Sequence, residues 1–406
     1  MSTSLLYHAW GTIDYRVLSY RYAKGEVIVR IEKKPDKREC AGCGSYNVTV
    51  CGTKSERTWK TLPIGRRRVL LVAVPRVLKC CNCGARLQEQ VGFAEPLKSF
   101  SKRLGVYVRE LVRILPISHV SKLVGLHQHT VKDIVKEDLQ RKVNKLRVRN
   151  LKLLAIDEIH IGKKNEPKYL SIILDLKSSR VVYVGEGRTE EALRPFFKRL
   201  RRARADIQAV AMDMWEPYRN VVERYYPDAS IVFDPFHIVK MMNDAVDTVR
   251  RVEYKRLEKE EDRKVIKGSR YLLLKNPDKL ASSSKERLDN LLALNENLNR
   301  TYLMKEELRA LWNCESLEEA DEYLDSLIDG LLSTELKPLV NMAVTLMNHS
   351  KGILNYYKYQ ITVGPLEAFN NVLKLIKRRA FGYRDLTFYK LRILFHHETR
   401  LMVSGV

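Results

Sequence analysis

The stretch LKLLAIDEIHIGKKNEPKYLSIILDLKSSRVVYVGEG, residues 151–187, contains three apolar runs at short intervals. The runs are LKLLAIDEIHI, YLSIILDL and RVVYVGEG, and their β-branched residues predict three consecutive strands. Downstream, the pattern predicts a helix in TEEALRPFFKRLRRA, a strand in DIQAVAMD, a helix in WEPYRNVVERYY and a strand in ASIVFD. Helices that alternate with the later strands predict a partly parallel sheet covered on both faces.

The regions on either side of this α/β segment have different patterns. From Pro235 to about Lys358 the sequence predicts helices throughout, so this block interrupts the α/β unit before its final helix. Upstream, the first hundred residues contain short β-like runs such as EVIVRIE and RRRVLLVAVPRV. The pattern becomes helical from Ser101 to about Arg149. We therefore expect a multidomain α+β protein.

The charge of the chain indicates a polyanionic partner. The 406 residues carry a formal net charge of +24, which is large for an enzyme of small metabolites and is typical of nucleic-acid binding. Apolar runs stay below the roughly 18 residues that a membrane-spanning helix needs. The start MSTSLLYHAWGTIDYRVL lacks the basic and apolar segments of a secretory signal. We expect a cytoplasmic, nucleoid-associated protein with no membrane partner.

The cysteines indicate a metal site. Two C-x-x-C-G units can supply four thiolates to a structural Zn²⁺ ion, and these are Cys40, Cys43, Cys80 and Cys83. Cys81 is an alternative to Cys80, although its spacing to Cys83 is less suitable. The competing interpretations are free buried cysteines and a redox pair. Cys51 and Cys314 are expected to be small core residues.

The segment ISHVSKLVGLHQHTVKDIVKEDL predicts a helix-turn-helix. Apolar residues line both helices at Val120, Leu123, Val124, Val131, Ile134 and Val135, and Gly125 and Leu126 form the turn. The residues expected to face a major groove are Gln128, His129, Thr130 and Lys132. Many helical hairpins have this spacing without binding DNA. A metal-ligand interpretation of His127 and His129 lacks a second pair of ligands nearby.

Acidic residues occupy strands and the final helix. Asp157 lies in the first strand of the opening stretch, Asp213 ends AVAMD, and Glu367 lies on the last helix. If that helix packs on the sheet, the three carboxylates can hold two Mg²⁺ (or Mn²⁺) ions for phosphodiester chemistry. Acids near strand ends are also often helix caps or surface residues. Spacing alone does not choose between these residues and the alternatives Asp175 and Glu158.

The final helix, GPLEAFNNVLKLIKRRAFGYRD, combines a carboxylate with a basic run. Its apolar residues predict a buried stripe formed by Leu366, Phe369, Leu373 and Ile376. A carboxylate beside cations weakens phosphate binding unless a metal ion separates it from the phosphate, which explains Glu367. The residues of this helix expected to contact DNA are Asn370, Asn371, Lys374, Lys377, Arg378 and Arg379.

These blocks together resemble the ISL-three family of prokaryotic insertion-sequence transposases of the DDE type, over nearly the whole chain. The similar blocks are CAGCG with CCNCG, the helix-turn-helix, AIDEIHIGKKNEPKYLSIILDL, AMDMWEPYRNVV, FDPFHIVK and the final helix. The resemblance implies that Asp157, Asp213 and Glu367 are catalytic. It also supplies an Asp-x-x-His signature, Asp234 and His237, whose role stays open between metal or DNA contact and a helix cap with a packing contact.

The resemblance implies an RNase H-like fold interrupted by a helical insertion. The expected divisions are a β-rich zinc-binding domain (1–98), a helix-turn-helix domain (99–149), the catalytic domain (150–238 and 359–406) and the insertion (239–358). The implied activity is cleavage at terminal inverted repeats, followed by joining of a 3′-hydroxyl to target DNA. Because two ends are joined, we expect a homodimer on DNA. The alternatives are an RNase H-like nuclease without strand transfer and a transposase-derived DNA-binding protein.

Overall fold

The computed structural model describes residues 4–162, 168–379 and 383–398. The chain forms two compact units, one from residues 1–145 with 376–406 and the other from residues 146–375. Of the described helices, none is both long enough and apolar enough to cross a membrane.

The first unit combines two sheets with helices. Its elements are α1 Ser4–Trp10, β1 Tyr15–Ala23, β2 Glu26–Lys33, β3 Val48–Thr53, β4 Arg57–Ile64, β5 Arg67–Ala73, β6 Arg76–Cys80, β7 Arg86–Gln88, α2 Lys102–Ile114, α3 Ile117–Val124, α4 Gln128–Val143 and α15 Leu386–Leu394. The larger sheet has the order β1-β2-β5-β4, with β2 parallel to β5, and the smaller has the order β3-β6-β7. Trp59 and Leu71 are fully buried in the core of the larger sheet.

Two details of this unit differ from the sequence predictions. The run RRRVLLVAVPRV is not one strand, because β5 ends at Ala73 and β6 begins at Arg76 in the other sheet. Pro75, which lacks a backbone N–H, separates them and ends the pairing. Cys51 is exposed and not a core residue, because the residues of β3 around it are mostly exposed. Cys314, in the second unit, is half-buried.

Helices α2, α3 and α4 lie in the segment where the sequence pattern predicts helices. Ser101 caps α2 by accepting a hydrogen bond from the backbone N–H of Leu104 at 3.1 Å. Helix α3 ends at Gly125, whose φ of 68° is the left-handed conformation that glycine adopts without strain. Of the apolar residues of α3, Val120 and Val124 are buried, whereas the side chain of Leu123 is 57% exposed.

The second unit contains a five-stranded sheet and most of the helices. Its elements are β8 Leu153–His160, β9 Tyr169–Asp175, β10 Arg180–Glu186, α5 Glu190–Arg202, β11 Ala209–Met212, α6 Glu216–Tyr225, β12 Ser230–Phe233, α7 Pro235–Arg256, α8 Glu260–Ile266, α9 Arg270–Leu274, α10 Ser282–Leu294, α11 Glu296–Ala310, α12 Leu317–Ser333, α13 Lys337–Tyr359 and the start of α14 Gly364–Arg379. The sheet order is β10-β9-β8-β11-β12. The first three strands are antiparallel, and β11 is parallel to both β8 and β12.

The element order of the α/β segment confirms the sequence prediction of three strands followed by alternating helices and strands. The segment from α7 to α13 is helical, as predicted, with no strand in residues 235–359. Its acidic helix α12 buries an apolar stripe and exposes its carboxylates to solvent. The buried stripe predicted for α14 is also confirmed, since Leu366 is fully buried and Phe369 is 5% exposed.

Candidate active site and metal sites

Parallel pairing aligns three aspartates at one edge of the five-stranded sheet. Strand β11 pairs with β8 so that Ala211 lies opposite Ala155, and with β12 so that Met212 lies opposite Phe233. Continuing these registers puts Asp213 level with Asp157, and Asp234 level with Asp213. Because the strands are parallel, the chain leaves β11 and β12 at the same edge, which fixes these carboxylates on a rigid scaffold.

Asp157 is bonded on both carboxylate oxygens. Its Oδ1 accepts the backbone N–H of Glu158 at 2.8 Å, and its Oδ2 accepts the side-chain amide of Asn370 at 3.1 Å. Burial raises the pKa of Asp157. Asn370 belongs to α14, so this helix reaches strand β8 as the sequence analysis required. Glu367, half-buried, lies one turn before Asn370 on the same helical face.

Asp213 and Glu158 add further negative charge at this edge. The Oδ1 of Asp213 accepts the backbone N–H of Trp215 at 3.1 Å, and burial raises the pKa of Asp213. Burial also raises the pKa of Glu158, and the charges of Asp213 and Asp157 raise it further. The hydroxyl of Tyr218 donates to Glu158 at 3.4 Å. Glu158 is therefore a member of the acidic site next to the predicted residues.

The other alternative acid, Asp175, has a structural role. Its carboxylate accepts the backbone N–H and the hydroxyl of Ser178, in the turn that joins β9 to β10. It lies opposite Leu154, nearer the start of β8 than Asp157 is. Its hydrogen bonds are those of a turn residue.

Asp234 and His237 form a pair beside the aspartates. Asp234, only 3% exposed, occupies the N-cap position of α7, yet its side chain makes no capping hydrogen bond. Its Oδ1 instead accepts the backbone N–H of Val363 at 3.2 Å, and its Oδ2 lies 3.3 Å from Nδ1 of His237. The Asp234 carboxylate raises the pKa of His237, although burial opposes it, and Asp213 and Asp157 add to the rise. His237 is thus a cation-forming group that faces the aspartates.

The donor set of this edge fits a hard divalent cation. Carboxylate and amide oxygens are the ligands that Mg²⁺ prefers. Among the described residues, the buried Oδ1 of Asn370 has no hydrogen-bond partner, so an oxygen beside Asp157 is available for a ligand. The acids are nevertheless further apart than in a closed metal cage. In the described part of the chain, only the cysteines form a group of three or more ligand residues whose atoms all lie within 4.8 Å.

The cysteine group is Cys40, Cys43, Cys80 and Cys83. The Sγ–Sγ distance is 3.7 Å between Cys40 and Cys83 and 3.6 Å between Cys43 and Cys80. Four thiolates about 2.3 Å from Zn²⁺ in a tetrahedron have sulfurs about 3.8 Å apart, so the geometry fits zinc. The backbone N–H of Cys83 lowers the pKa of Cys80 to about 6, although burial opposes the shift. Cys81 is exposed and outside the group, which leaves Cys80 as the member from this segment.

The predicted DNA-facing residues of α4 have different environments. Gln128 and His129 are exposed at the start of the helix, and Thr130 is half-buried. The ammonium of Lys132 lies 3.2 Å from the Asp385 carboxylate, which Lys136 also contacts at 2.8 Å. His127 accepts the backbone N–H of His129 through Nδ1 at 3.3 Å, so it has a helix-capping role.

The predicted DNA-facing residues of α14 lie after its contact with β8. Asn371, Lys374 and Arg378 are exposed, and Lys377 is half-buried. The side chain of Arg379 lies outside the described residues. Asn370 has a contact that the sequence does not predict, namely its hydrogen bond to Asp157.

One basic residue near Asp157, Asp213 and Glu158, at the acidic edge of the sheet, is not predicted by any sequence pattern. Arg188, two residues beyond β10, lies over the rings of Tyr169 and Trp215. No local motif marks it, because its partners lie on a different strand and on the loop after β11. The only sequence signal is the position of Trp215, two residues after Asp213.

Comparison with known proteins gives a family. The family model for ISL-three DDE transposases, described as "Transposase", matches residues 154–393. The transposase for insertion sequence element IS1001 of Bordetella parapertussis is 31% identical over 357 residues, covering 87% of each chain. The transposase for insertion sequence element IS1557 of Mycobacterium tuberculosis is 27% identical over 375 residues, covering 86% of this chain and 83% of that relative.

Among solved structures, the strand transfer complex of the Drosophila P element transposase matches with a TM-score of 0.37 and 10% identity. The match covers 74% of this chain and 92% of that chain. A TM-score this low carries no argument about fold or function.

Proposed function

Because the chain belongs to the ISL-three family of DDE transposases, which cut and join DNA, we propose that it binds the terminal inverted repeats of an insertion sequence, cleaves at their ends and joins the 3′-hydroxyl to target DNA. The observation that carries this proposal is the alignment of Asp157 with Asp213 at one sheet edge, where Asn370 of α14 bonds to Asp157. This bond supports the proposal because Glu367 lies one turn before Asn370 on the same helix.

The proposed catalytic domain is RNase H-like. Its support is the mixed sheet β10-β9-β8-β11-β12 with its alternating helices, and the helical segment before the last acid. In this proposal the helical segment, residues 239–358, is an insertion. It follows β12 and the start of α7, and it precedes the final helix. Residues 1–98 and 99–149 are the proposed zinc-binding and helix-turn-helix domains.

The proposed metal ligands are Asp157, Asp213 and Glu367. Mg²⁺ or Mn²⁺, when bound, would supply activation of the attacking oxygen and charge stabilisation of the leaving oxygen. Asn370 and the backbone N–H of Glu158 hold the Asp157 carboxylate in one orientation. That positioning matters because a misplacement of about 1 Å in a catalytic site can lower the rate by about a hundredfold.

His237 and Asp234 support the same edge. With its pKa raised by Asp234, His237 carries positive charge to a higher pH than an ordinary histidine does. A cation there partly balances the negative charge of the aspartates, and its N–H can donate a hydrogen bond to a phosphate oxygen. Asp234 also fixes the start of α14 through its bond to the backbone of Val363.

DNA recognition is assigned to the exposed start of α4 and to the cations of α14. Gln128 and His129 would reach base edges, and Lys374 and Arg378 would contact phosphates. Zn²⁺ on the cysteine group would stabilise the β-rich domain. The DNA complex would be a homodimer, because transposition joins two ends.

The test is strand transfer in vitro with labelled DNA that carries the flanking repeats, in Mg²⁺. We expect joined products from the wild type and none from Asp157→Ala, Asp213→Ala or Glu367→Ala, with DNA binding retained in all three. Cleaved but unjoined DNA from the wild type would indicate a nuclease without strand transfer. Binding without cleavage would indicate a DNA-binding protein derived from a transposase.

A further inference from the structure

Arg188 is held by two aromatic rings at the acidic edge of the sheet. The guanidinium carbon lies 4.5 Å from the centroid of the Tyr169 ring and 4.6 Å from that of Trp215. These distances are within the range of cation–π attraction, which is stronger for partly desolvated groups. The indole N–H of Trp215 also donates to the backbone carbonyl of Arg188 at 2.8 Å. Trp215 therefore fixes both the side chain and the backbone of Arg188.

The backbone before Arg188 is tied to strand β9. The N–H of Gly187 donates to the carbonyl of Tyr169 at 2.8 Å, and the hydroxyl of Ser171 donates to the carbonyl of Gly187 at 2.7 Å. Gly187 has a φ of 94°, a conformation that favours glycine. These contacts anchor the backbone that precedes Arg188 on strand β9.

The charged head of Arg188 has no protein partner in the described part of the chain. No carboxylate there lies within 4.0 Å of it, and its guanidinium donates no hydrogen bond to those residues. Arg188 nevertheless interacts electrostatically with Asp213 and Glu158. Its positive charge lowers the pKa of both carboxyl groups, against the rise that burial causes. A guanidinium carries five N–H donors, and none of those of Arg188 is used by a protein acceptor among the described residues, so they can bind a ligand.

We propose that Arg188 is a positioning residue that binds a backbone phosphate of the DNA strand being cut, next to the phosphate that reacts at Asp157 and Asp213. Stacking on rings leaves the in-plane N–H groups of a guanidinium available, and that planar fork matches two oxygens of one phosphate. A strand that approaches Asp157, Glu158 and Asp213 meets mostly negative charge, so a fixed cation beside them orients it. The inference rests on the proposed function and names one further DNA contact of the same site.

The experiment is single-turnover cleavage of terminal-repeat DNA in Mg²⁺, with a series of substrates that each carry one uncharged methylphosphonate linkage near the cut. The proteins are the wild type, Arg188→Ala, Arg188→Lys and Arg180→Ala. Arg180 is the matched control, since it is an exposed arginine at the opposite end of the same strand, β10. Thermal unfolding of each variant checks that it is folded.

We expect wild-type cleavage to slow at one linkage beside the cut. Arg188→Ala should slow cleavage of unmodified DNA by about tenfold to a hundredfold, the effect of losing a charge-assisted hydrogen bond, and should abolish the sensitivity at that linkage. Arg188→Lys should keep a weaker sensitivity at the same linkage, and Arg180→Ala should match the wild type.

An Arg188→Ala enzyme that is slow but keeps the full linkage sensitivity would overturn the proposal, since the residue would then act only on the acids or on folding. Unchanged cleavage by Arg188→Ala would overturn it as well. Sensitivity to a base analogue instead of to any linkage would assign Arg188 to base contact and reject phosphate binding. If the wild type cuts none of these DNAs, the proposed function itself fails, which is distinguishable from all of these results.

Discussion

Asp157 and Asp213 become neighbours only through the parallel pairing of β8 with β11. Burial raises the pKa values of both side chains, so the charged form of each carboxylate is destabilised at this end of the sheet. Buried carboxylates with perturbed pKa values cluster at functional sites. Arg188 and His237 are the cations that the structure brings to this edge, and both lie close enough to lower the pKa of Asp213 from where burial alone would put it.

The four-cysteine group predicts the metal content of the purified protein. We expect purified protein to contain about one Zn²⁺ per chain, as one four-thiolate site requires. Cys43→Ser should lose the metal and unfold the β-rich domain at a lower temperature, because such sites contribute directly to folding. Elemental analysis and thermal unfolding measure both effects.

Cys81→Ser is the control for that prediction. Cys81 is exposed and adjacent to the ligand Cys80, yet outside the group. The Cys81→Ser protein should keep the full zinc content and the unfolding temperature of the wild type. Equal zinc loss in Cys81→Ser and Cys43→Ser would show that the ligand assignment is wrong.

Helix α13 packs on strand β12 at Gly352, where the close approach of the two elements requires glycine. A Cβ added to Gly352 would overlap the ring of Phe233, the residue before Asp234. We expect Gly352→Ala to destabilise the protein by about 1–3 kcal/mol, the usual cost of overpacking, despite the better helix propensity of alanine. Urea unfolding measures the free energy, and cleavage should fall too, because the shift reaches Asp234.

Gly330→Ala is the matched change in the neighbouring helix α12. There the added Cβ would meet only the flexible end of the Met304 side chain, with Sδ at 3.3 Å and Cε at 3.6 Å. We expect stability equal to the wild type or higher by up to about 1 kcal/mol, from helix propensity alone. A Gly352→Ala protein as stable as Gly330→Ala would contradict the tight packing of α13 on β12.

Much of this element-level arrangement could be predicted from the sequence. The strand and helix order followed from apolar runs of different period, and the buried stripe of α14 followed from helical spacing. Cys51 was expected in the core from its residue type alone, whereas Leu123 is an apolar position of α3 that does not share the burial of Val120 and Val124. Periodicity tells which residues share a face of an element, but not whether another element covers that face.

The site was less predictable than the fold. Asp157 and Asp213 each follow or lie in an apolar run, which is a visible signal. The bond from Asn370 to Asp157 joins residues 213 positions apart, and the bond from Trp215 to Arg188 joins residues 27 positions apart. Neither contact has a local pattern, because each depends on how separate elements meet.

At the scale of the whole molecule, the net charge of +24 and the membership of a transposase family both indicate that the protein acts in a complex with DNA. Strand transfer joins two element ends, so the assembly that acts should contain two protomers. We expect light scattering of the complex with terminal-repeat DNA to give the mass of two chains of 47.3 kDa plus DNA. A complex with one protomer that still joins both ends would contradict the proposed homodimer.

The central claim is that the carboxylates at this end of the sheet hold the catalytic metal. The most direct test is cleavage by Asp157→Cys and Asp213→Cys in Mg²⁺ and in Mn²⁺, with Asp206→Cys, an exposed aspartate of the same unit, as control. A thiolate is a poor ligand for Mg²⁺ and a better one for Mn²⁺. We predict no cleavage in Mg²⁺ and partial recovery in Mn²⁺ for the first two variants, and normal cleavage for the control. If Asp157→Cys or Asp213→Cys cut DNA in Mg²⁺ as fast as Asp206→Cys, this edge would not be the catalytic metal site.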